Sequence, residues 1–380
     1  MRICLVYDCL YPYTVGGAER WYRNLGERLA AAGHEVTYVT LRQWPRGERP
    51  GVPGVNVVAV GPRLKLYAAG RRRVLPPLVF GAGVLAHLLR RGGRYELVHT
   101  ASFPYFSVLA ARAAQLVRRF RLFVDWHELW TREYWLEYGG PLAGRLGWRV
   151  QRLCVRVPHR AFCFSRLHER RLREQGFGGE VQVLEGEYAG PLEPPSPKPA
   201  EPVVVFAGRH IPEKRADAVV GAVARARDRL PALRAQIFGD GPERPELVRL
   251  VRRLGLDGAV ELPGFVAAER VAAALRHALC LVLPSQREGY GLVVVEAAAM
   301  GTPAVVVAGA DNAAVELVAD GENGFVAASA SAEDLAAAIV RVHELGAELR
   351  ASTAAWFARN AHRLSLDGSL ETVLAAYGER

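Results

Sequence analysis

The stretch Glu288-Gly289-Tyr290-Gly291-Leu292-Val293-Val294-Val295-Glu296 decides how the rest of this chain is read. It follows Cys280-Leu281-Val282-Leu283-Pro284, an apolar run whose length and composition predict a buried strand. Ala297-Ala298-Ala299-Met300 continues as helix, and Gly301-Thr302-Pro303 stops it. Ala304 to Val307 reads as the next buried strand. One carboxylate therefore sits in a Gly-rich strand-to-helix turn, and a second sits about one helical turn deeper. The N–H groups around Gly289 to Leu292 lack partners inside the helix, and a helix N-terminus favours phosphate there. The arrangement suits a ligand with phosphate in its middle and hydroxyls at both ends, as in a nucleotide-sugar.

The same grammar runs outward in both directions. Arg2 to Tyr7 reads as a strand, Gly16-Gly17 as a turn, Ala18 to Ala32 as a helix and Glu35 to Thr40 as the next strand. Trp21, Leu25 and Leu29 recur at a spacing of four and give that helix one buried face. This is the opening of a Rossmann-like parallel sheet. Further strands are expected at Val55 to Val60, Leu97 to His99, Leu122 to Val124 and Ala161 to Phe164. Residues 191–202, PLEPPSPKPAEP, form a Pro-rich linker that is expected to be extended. Beyond it the alternation restarts with a strand at Val203 to Ala207 and a helix at Asp217 to Arg229. The strand Leu233 to Phe238 and the helix Pro245 to Leu254 then lead to the glutamate unit.

Two glutamates eight apart with Gly-Tyr-Gly inside the first resemble the signature of retaining GT-B glycosyltransferases, above all glycosyltransferase family 4. That resemblance implies an α/β chain of two Rossmann-like α/β/α domains facing each other across a cleft. The implied domains are residues 1–190, an acceptor domain, and 203–357, a nucleotide-sugar-binding domain. A C-terminal segment of about 358–380 is expected to pack back on the first. Gly208-Arg209-His210-Ile211-Pro212-Glu213-Lys214 resembles the family segment whose Arg and Lys hold the donor diphosphate. Two fixed cations stabilise the charge that develops on the leaving group. In the resembled enzymes these cations replace a metal, so the expected activity is metal-independent and needs no cofactor besides the donor.

By the same resemblance Glu288 contacts the donor sugar's hydroxyls and Glu296 the ribose hydroxyls. Gly289, Tyr290, Gly291 and Leu292 give the diphosphate close backbone approach. Pro263-Gly264-Phe265 resembles the segment that lies against the nucleobase, and Phe238-Gly239-Asp240-Gly241-Pro242 a structural turn. Gly16 and Gly17 match an N-terminal turn that approaches the donor phosphates. His127, in Asp125-Trp126-His127-Glu128, resembles a histidine that contacts the donor sugar, with His99 a second candidate at a strand end. Retention is explained there by same-face attack, the leaving phosphate taking the acceptor proton. Where relatives carry Asn-Gly before the hinge, this chain has Leu184-Glu185-Gly186-Glu187-Tyr188, and Glu185, Glu187 and Asn312 receive no role.

The expected activity is thus transfer of a hexosyl unit from a nucleotide-sugar to a sugar, lipid-linked or small-molecule acceptor. A nucleotide-sugar 2-epimerase shares fold and length, but its Gly-Thr-Arg-Pro-Glu opening is unlike Tyr11-Pro12-Tyr13-Thr14. A binding protein without turnover is the third reading. Base, sugar and acceptor stay open.

Charge adds one more expectation. Residues 1–190 carry 29 Arg and Lys against 15 Asp and Glu, and residues 191–380 carry 20 against 24. No nucleic-acid-binding motif accompanies the basic half, so nucleic acid is not an expected partner. The longest apolar run, Val74 to Leu89, is too short to span a bilayer and contains Pro76-Pro77 and His87. Arg63, Lys65, Arg71, Arg72, Arg73, Arg90, Arg91 and Arg94 bracket it, as around an interfacial anchor on an anionic membrane. Packing of the same run into a core explains it equally. No secretory signal is read at the start, and the five cysteines are scattered without metal-ligand spacing. They suggest reduced thiols in a cytoplasmic protein, at most peripheral at the inner membrane face. Trp126, Trp130 and Trp135, with Tyr134 and Tyr138, offer either an acceptor-stacking surface or core packing.

Overall fold

The computed structural model describes every residue except Arg49, Ala69, Gly70, Pro197 and Arg380, and leaves the side chains of Tyr67, Ala68 and Arg71 undescribed. Contacts divide the chain into two units, Met1–Leu184 with Thr372–Arg380, and Glu185–Glu371. The division falls ahead of the Pro-rich stretch because Glu185 and Tyr188 are bonded into the second unit. The Glu185 carbonyl accepts from Tyr290, and Tyr188 N–H donates to the carbonyl of Leu364 at 3.1 Å.

In unit 1 the strands are β1 (Arg2–Val6), β2 (Glu35–Thr40), β3 (Val55–Ala59), a short pair β4 (Tyr67–Ala68) and β5 (Arg71–Arg72), β6 (Leu97–Ala101), β7 (Arg121–Trp126), β8 (Arg160–Cys163) and β9 (Val181–Val183). Seven of them form a parallel sheet in the order β3-β2-β1-β6-β7-β8-β9. Helices α1 (Gly17–Ala31), α2 (Leu75–Arg91), α3 (Phe106–Gln115), α4 (Arg132–Val155) and α5 (Arg166–Glu174) connect them. β6 is buried along its whole length, as a parallel strand covered on both faces must be. Its His99 belongs to that core and is no cleft residue. Its Nε2 lies 2.7 Å from Asp125 Oδ1, and its Nδ1 lies 2.5 Å from the Tyr377 hydroxyl. Trp21 Nε1–H donates to the other Asp125 oxygen at 2.8 Å, so one buried carboxylate ties α1, β6, β7 and the C-terminal residues together. Removing one partner of such a buried charge costs about 3–5 kcal/mol.

Unit 2 holds β10 (Val203–Ala207), β11 (Arg234–Phe238), β12 (Val260–Gly264), β13 (Cys280–Leu283), β14 (Arg287–Glu288), β15 (Ala304–Val307), β16 (Asp311–Asn312) and β17 (Gly324–Ala327). The parallel order is β12-β11-β10-β13-β15-β17. Helices α6 (Ala216–Ala226), α7 (Arg244–Arg253), α8 (Ala268–His277), α9 (Leu292–Ala299) and α10 (Ala332–Leu364) follow in alternation. The last helix, α11 (Leu366–Gly378), gives its residues from Thr372 onward to unit 1. Strand order reverses between β1 and β6 in one unit and between β10 and β13 in the other. Each reversal leaves a crevice at the carboxyl ends of two neighbouring strands.

Trp126, Trp130 and Tyr134 belong to β7, a connecting loop and α4 in turn. Trp126 and Trp135 are buried, and Trp135 Nε1–H donates to Gln151 at 2.8 Å. Val74 to Leu89 is largely α2, which buries Pro76, Pro77, Phe80, Gly81, Val84 and Leu88. From its basic collar Arg72 turns inward, pairs with the buried Asp8 and lies 4.8 Å from the Phe103 ring. Arg71's side chain lies outside the described residues. Among the described residues no helix is long and apolar enough to cross a membrane.

Candidate active site

The glutamate unit folds as its sequence dictates. β13 ends at Leu283, the chain passes Ser285 to reach β14, and α9 starts at Leu292. Gly291 caps it at φ 101°, a conformation that β-carbon-bearing residues avoid. A β-carbon there would stand 2.7 Å from that of Ala314. The first N–H groups of α9 are consequently directed away from any helical partner. Glu288 immediately precedes this terminus, and Glu296 lies within α9.

From the neighbouring strand end comes the second loop. After β10, Gly208 to Ile211 leads into a single 3-10 turn, Pro212–Lys214. Lys214 Nζ lies 2.6 Å from Glu288 Oε2, and Ser285 Oγ donates to that oxygen at 3.1 Å. Both charged side chains are mostly buried. The Gln286 N–H donates to the Glu213 carbonyl at 2.9 Å, which stitches the loops after β10 and β13 together. Arg209 is exposed, and its guanidinium meets no described residue.

A third loop supports the first. A β-carbon at Gly239 would collide at 1.9 Å with the Gly208 carbonyl, and one at Gly241 at 2.3 Å with that of His210. The turn expected to be structural thus needs glycine for close approach to the Arg209 loop. Gly239 N–H donates to the Gly264 carbonyl at 2.9 Å, which places Pro263-Gly264-Phe265 next in line, with Phe265 exposed. Tyr290 is buried, and its hydroxyl donates to the Glu185 carbonyl at 2.6 Å. Only its backbone is left for a ligand.

Asn312, to which sequence gave no role, is the clamp of the site. Its Nδ2 donates to the carbonyls of Ser285 at 3.1 Å and Val307 at 2.9 Å, while its Oδ1 accepts from Ala314 N–H at 3.1 Å. β16 pairs in parallel with β14, Asn312 opposite Glu288. A buried amide that satisfies three backbone groups fixes where Glu288 and Gly291 stand. Glu185, likewise unassigned, faces Arg363 at 3.2 Å. Ser285 and Asn312 lie at strand ends beside the glutamate unit, the only sequence signal that marks them.

In unit 1, Gly16 caps α1 and Gly17 begins it. His127 follows the end of β7, stacks on Phe164 with centroids 4.2 Å apart, and is pushed down to about 4 by burial. It is therefore a neutral imidazole at ordinary pH. Among the described residues no group of His, Cys, Asp and Glu is arranged to hold a metal ion.

Residues 16–185 match the family model for a glycosyl transferase 4-like domain, and residues 193–356 that for glycosyl transferases group 1. The chain belongs to the GT-B glycosyltransferases. The second match contains Arg209, Lys214, Gly264, Ser285, Glu288, Gly291, Glu296 and Asn312. Among curated relatives, the D-inositol 3-phosphate glycosyltransferase of Actinosynnema mirum is 36% identical over 186 residues, 47% of this chain and 44% of that protein. A similar enzyme of Streptomyces griseus is 40% identical over 148 residues, covering 37% and 31% of the two chains. The chain thus spans less than half the length of these relatives. A glycogen synthase of Mycobacterium tuberculosis is 27% identical across 99% of this chain and 93% of its own. The GT-B fold is shared with sucrose-phosphate synthase from Thermosynechococcus elongatus, with a TM-score of 0.80, 22% identity and coverage of 99% and 98%. Anabaena HepE, solved with UDP and glucose, gives 0.75 at 20% identity over the whole of both chains.

Proposed function

We propose that this glycosyltransferase moves a hexosyl unit from a nucleotide-sugar to a hydroxyl acceptor with retention and without a metal. The observation that carries the reading is the Lys214–Glu288 pair at the N-terminus of α9. A cation, a carboxylate and a set of free N–H groups meet there, the complement of a diphosphate joined to a hydroxyl-rich ring. The Anabaena neighbour, solved with UDP and glucose, supports a nucleotide-sugar of that kind.

In the proposed reaction the bond from the anomeric carbon to the diphosphate oxygen breaks. The acceptor oxygen bonds to that carbon from the same face and gives its proton to the departing phosphate. Lys214 and Arg209 stabilise the charge on the leaving group. The N–H groups of Gly289 to Leu292 approach the diphosphate, and Glu288 binds sugar hydroxyls. Glu296 binds the ribose, and Gly264 with Phe265 lies along the base. In unit 1 His127 offers a neutral imidazole to a hydroxyl, and Gly16 and Gly17 offer backbone N–H groups to phosphate. The acceptor is a sugar, a lipid-linked sugar or a small molecule. Five buried free thiols support a reducing, cytoplasmic setting.

A thermal-shift screen with UDP, GDP, ADP and their sugar conjugates tests the reading. One nucleoside diphosphate should raise the melting temperature, and the matching sugar-nucleotide should be consumed when acceptor hydroxyls are supplied, with the anomeric configuration kept in the product. Turnover should persist in EDTA. Inversion, or loss of activity that Mn²⁺ or Mg²⁺ restores, would contradict the mechanism; no shift with any nucleotide would remove the donor assignment.

A further inference from the structure

α4 is two helices joined at a kink. Gly140 has φ 72° and ψ −177°, and Pro141 starts a second arm that runs to Val155. The arms lie against each other through glycine. A β-carbon at Gly144 would meet the Trp135 carbonyl at 2.3 Å, and one at Gly147 the Trp135 ring at 2.2 Å. Gly144, Gln151, Cys154 and Val155 form the buried side of the second arm.

The opposite side is uncovered and apolar. Leu142 is 81% exposed, Leu146 63% and Leu153 53%. At 3.6 residues per turn these leucines fall within an arc of roughly 40°. Arg145, Arg149, Arg152 and Arg156 occupy the adjoining arc of roughly 60°. From Pro141 to Arg156 there is no Asp or Glu, and none of the four guanidinium groups forms an ion pair with a described residue. Just ahead of the kink the first arm meets β5, where Arg72 N–H donates to the Tyr138 hydroxyl at 3.1 Å. Val74 and Leu75, two and three residues beyond Arg72, are themselves exposed.

We propose that the outer face of this second arm docks on an anionic lipid bilayer surface, with Leu142, Leu146 and Leu153 inserted among the acyl chains and the arginines at the headgroups. A leucine stripe bordered by unpaired arginines fits an interface that is apolar below and negative above. Two other occupants fit less well. A second copy meeting the same face would bring its uncompensated arginines against these four. A nucleic acid would use the arginines and leave three exposed leucines without a partner. The proposal is independent of which donor the site accepts, and it moves the membrane face from α2, which buries Pro76, Pro77, Phe80, Gly81, Val84 and Leu88, to α4.

The test is co-sedimentation of the full chain with phosphatidylcholine vesicles, with and without phosphatidylglycerol. Binding should require the anionic lipid and fall at high salt. Leu142→Ser, Leu146→Ser and Leu153→Ser should each weaken partitioning by about ten-fold. Arg145→Gln, Arg149→Gln and Arg156→Gln should each weaken it by about five-fold. Because these side chains are exposed, circular dichroism and the melting temperature should stay at wild-type values. Equal recovery in the supernatant with both vesicle types overturns the proposal. So does binding that survives all three leucine substitutions, the pattern expected of a purely ionic contact such as RNA. A wild-type dimer in sedimentation velocity that the leucine substitutions dissolve would assign the face to a second copy. Vesicle binding abolished by Leu75→Ser with Leu78→Ser but untouched by the α4 changes would return it to α2.

Discussion

Lys214 and Glu288 hold each other in the structure, yet the proposed reaction gives them different parts of one donor. Their ammonium and carboxylate stand 2.6 Å apart. With an effective dielectric constant of about 20, the gross attraction is about 6 kcal/mol. Removing both charges from water offsets most of that. A diphosphate arriving beside Lys214 replaces one anionic partner by another, so affinity reflects the difference between them. Lys214→Ala deletes a charge-assisted contact of about 1.5–3 kcal/mol and should raise the nucleoside diphosphate Kd by about 10- to 100-fold. Glu288→Gln keeps the shape and can still accept from Ser285, but it releases Lys214. Free nucleoside diphosphate should then bind as well as in the wild type or up to about ten-fold more tightly, whereas kcat/KM with the sugar-nucleotide should fall by about 10- to 100-fold.

The double variant sharpens the argument. In Lys214→Ala alone the Glu288 carboxylate stands uncompensated beside the phosphates, so adding Glu288→Gln should recover several-fold in affinity. Calorimetry on the four proteins of the cycle reads these differences, with melting temperatures as the check on folding. Wild-type diphosphate affinity in Lys214→Ala would refute the reasoning, as would a Glu288→Gln loss of free nucleotide equal to that of Lys214→Ala.

Glu296→Ala should weaken free nucleoside diphosphate and sugar-nucleotide alike, by about ten-fold, in the same calorimetric assay. Asn312→Ala leaves two buried carbonyls and one N–H unmet; it should destabilise unit 2 by about 2–4 kcal/mol in urea unfolding and weaken the donor. Burial pushes His127 and His159 down to about 4, so below about 6.5 the unfolded chain binds protons that the folded one does not. Their contribution to stability is complete above about 6.5 and is lost as pH falls toward 4, and His127→Gln should flatten the dependence of melting temperature on pH in that window.

The strands were legible because each is an apolar run between turn residues. β1, β2, β3, β6, β7 and β8 all fall within a few residues of the expected positions, as do β10, β11, β13 and β15. β9 carries only three half-buried residues and gave no such run. α4 was missed because Gly139-Gly140-Pro141 breaks its period at a kink, so three leucines of its second arm never appeared as one stripe. Among candidate site residues, Lys214 and Glu288 were singled out because each follows a strand in a segment that resembles a family motif, and their side chains meet at 2.6 Å. Asn312 was not, because it acts on backbone groups of Ser285, Val307 and Ala314, which carry no side-chain signal. His99 resembled a strand-end ligand, but its partners Asp125 and Tyr377 lie 26 and 278 residues away.

These successes and failures follow from where the strand order reverses. At the carboxyl ends of β10 and β13 two neighbouring strands feed loops that must diverge, and the crevice they leave is lined by whatever those loops carry. The loop after β10 brings Lys214 and the loop after β13 brings Glu288, so residues 74 apart in sequence meet at 2.6 Å. That meeting needs glycine at 239 to let the supporting turn approach Gly208, and glycine at 291 to start α9 in a left-handed conformation. The demand on backbone geometry is what made the segment from Gly208 to Val307 readable. Because Lys214, Glu288 and Ser285 already satisfy one another, the two charges are in position before any ligand arrives. In the proposed reaction a donor exchanges contacts with a formed site instead of ordering loose loops, which keeps the entropic cost of binding low.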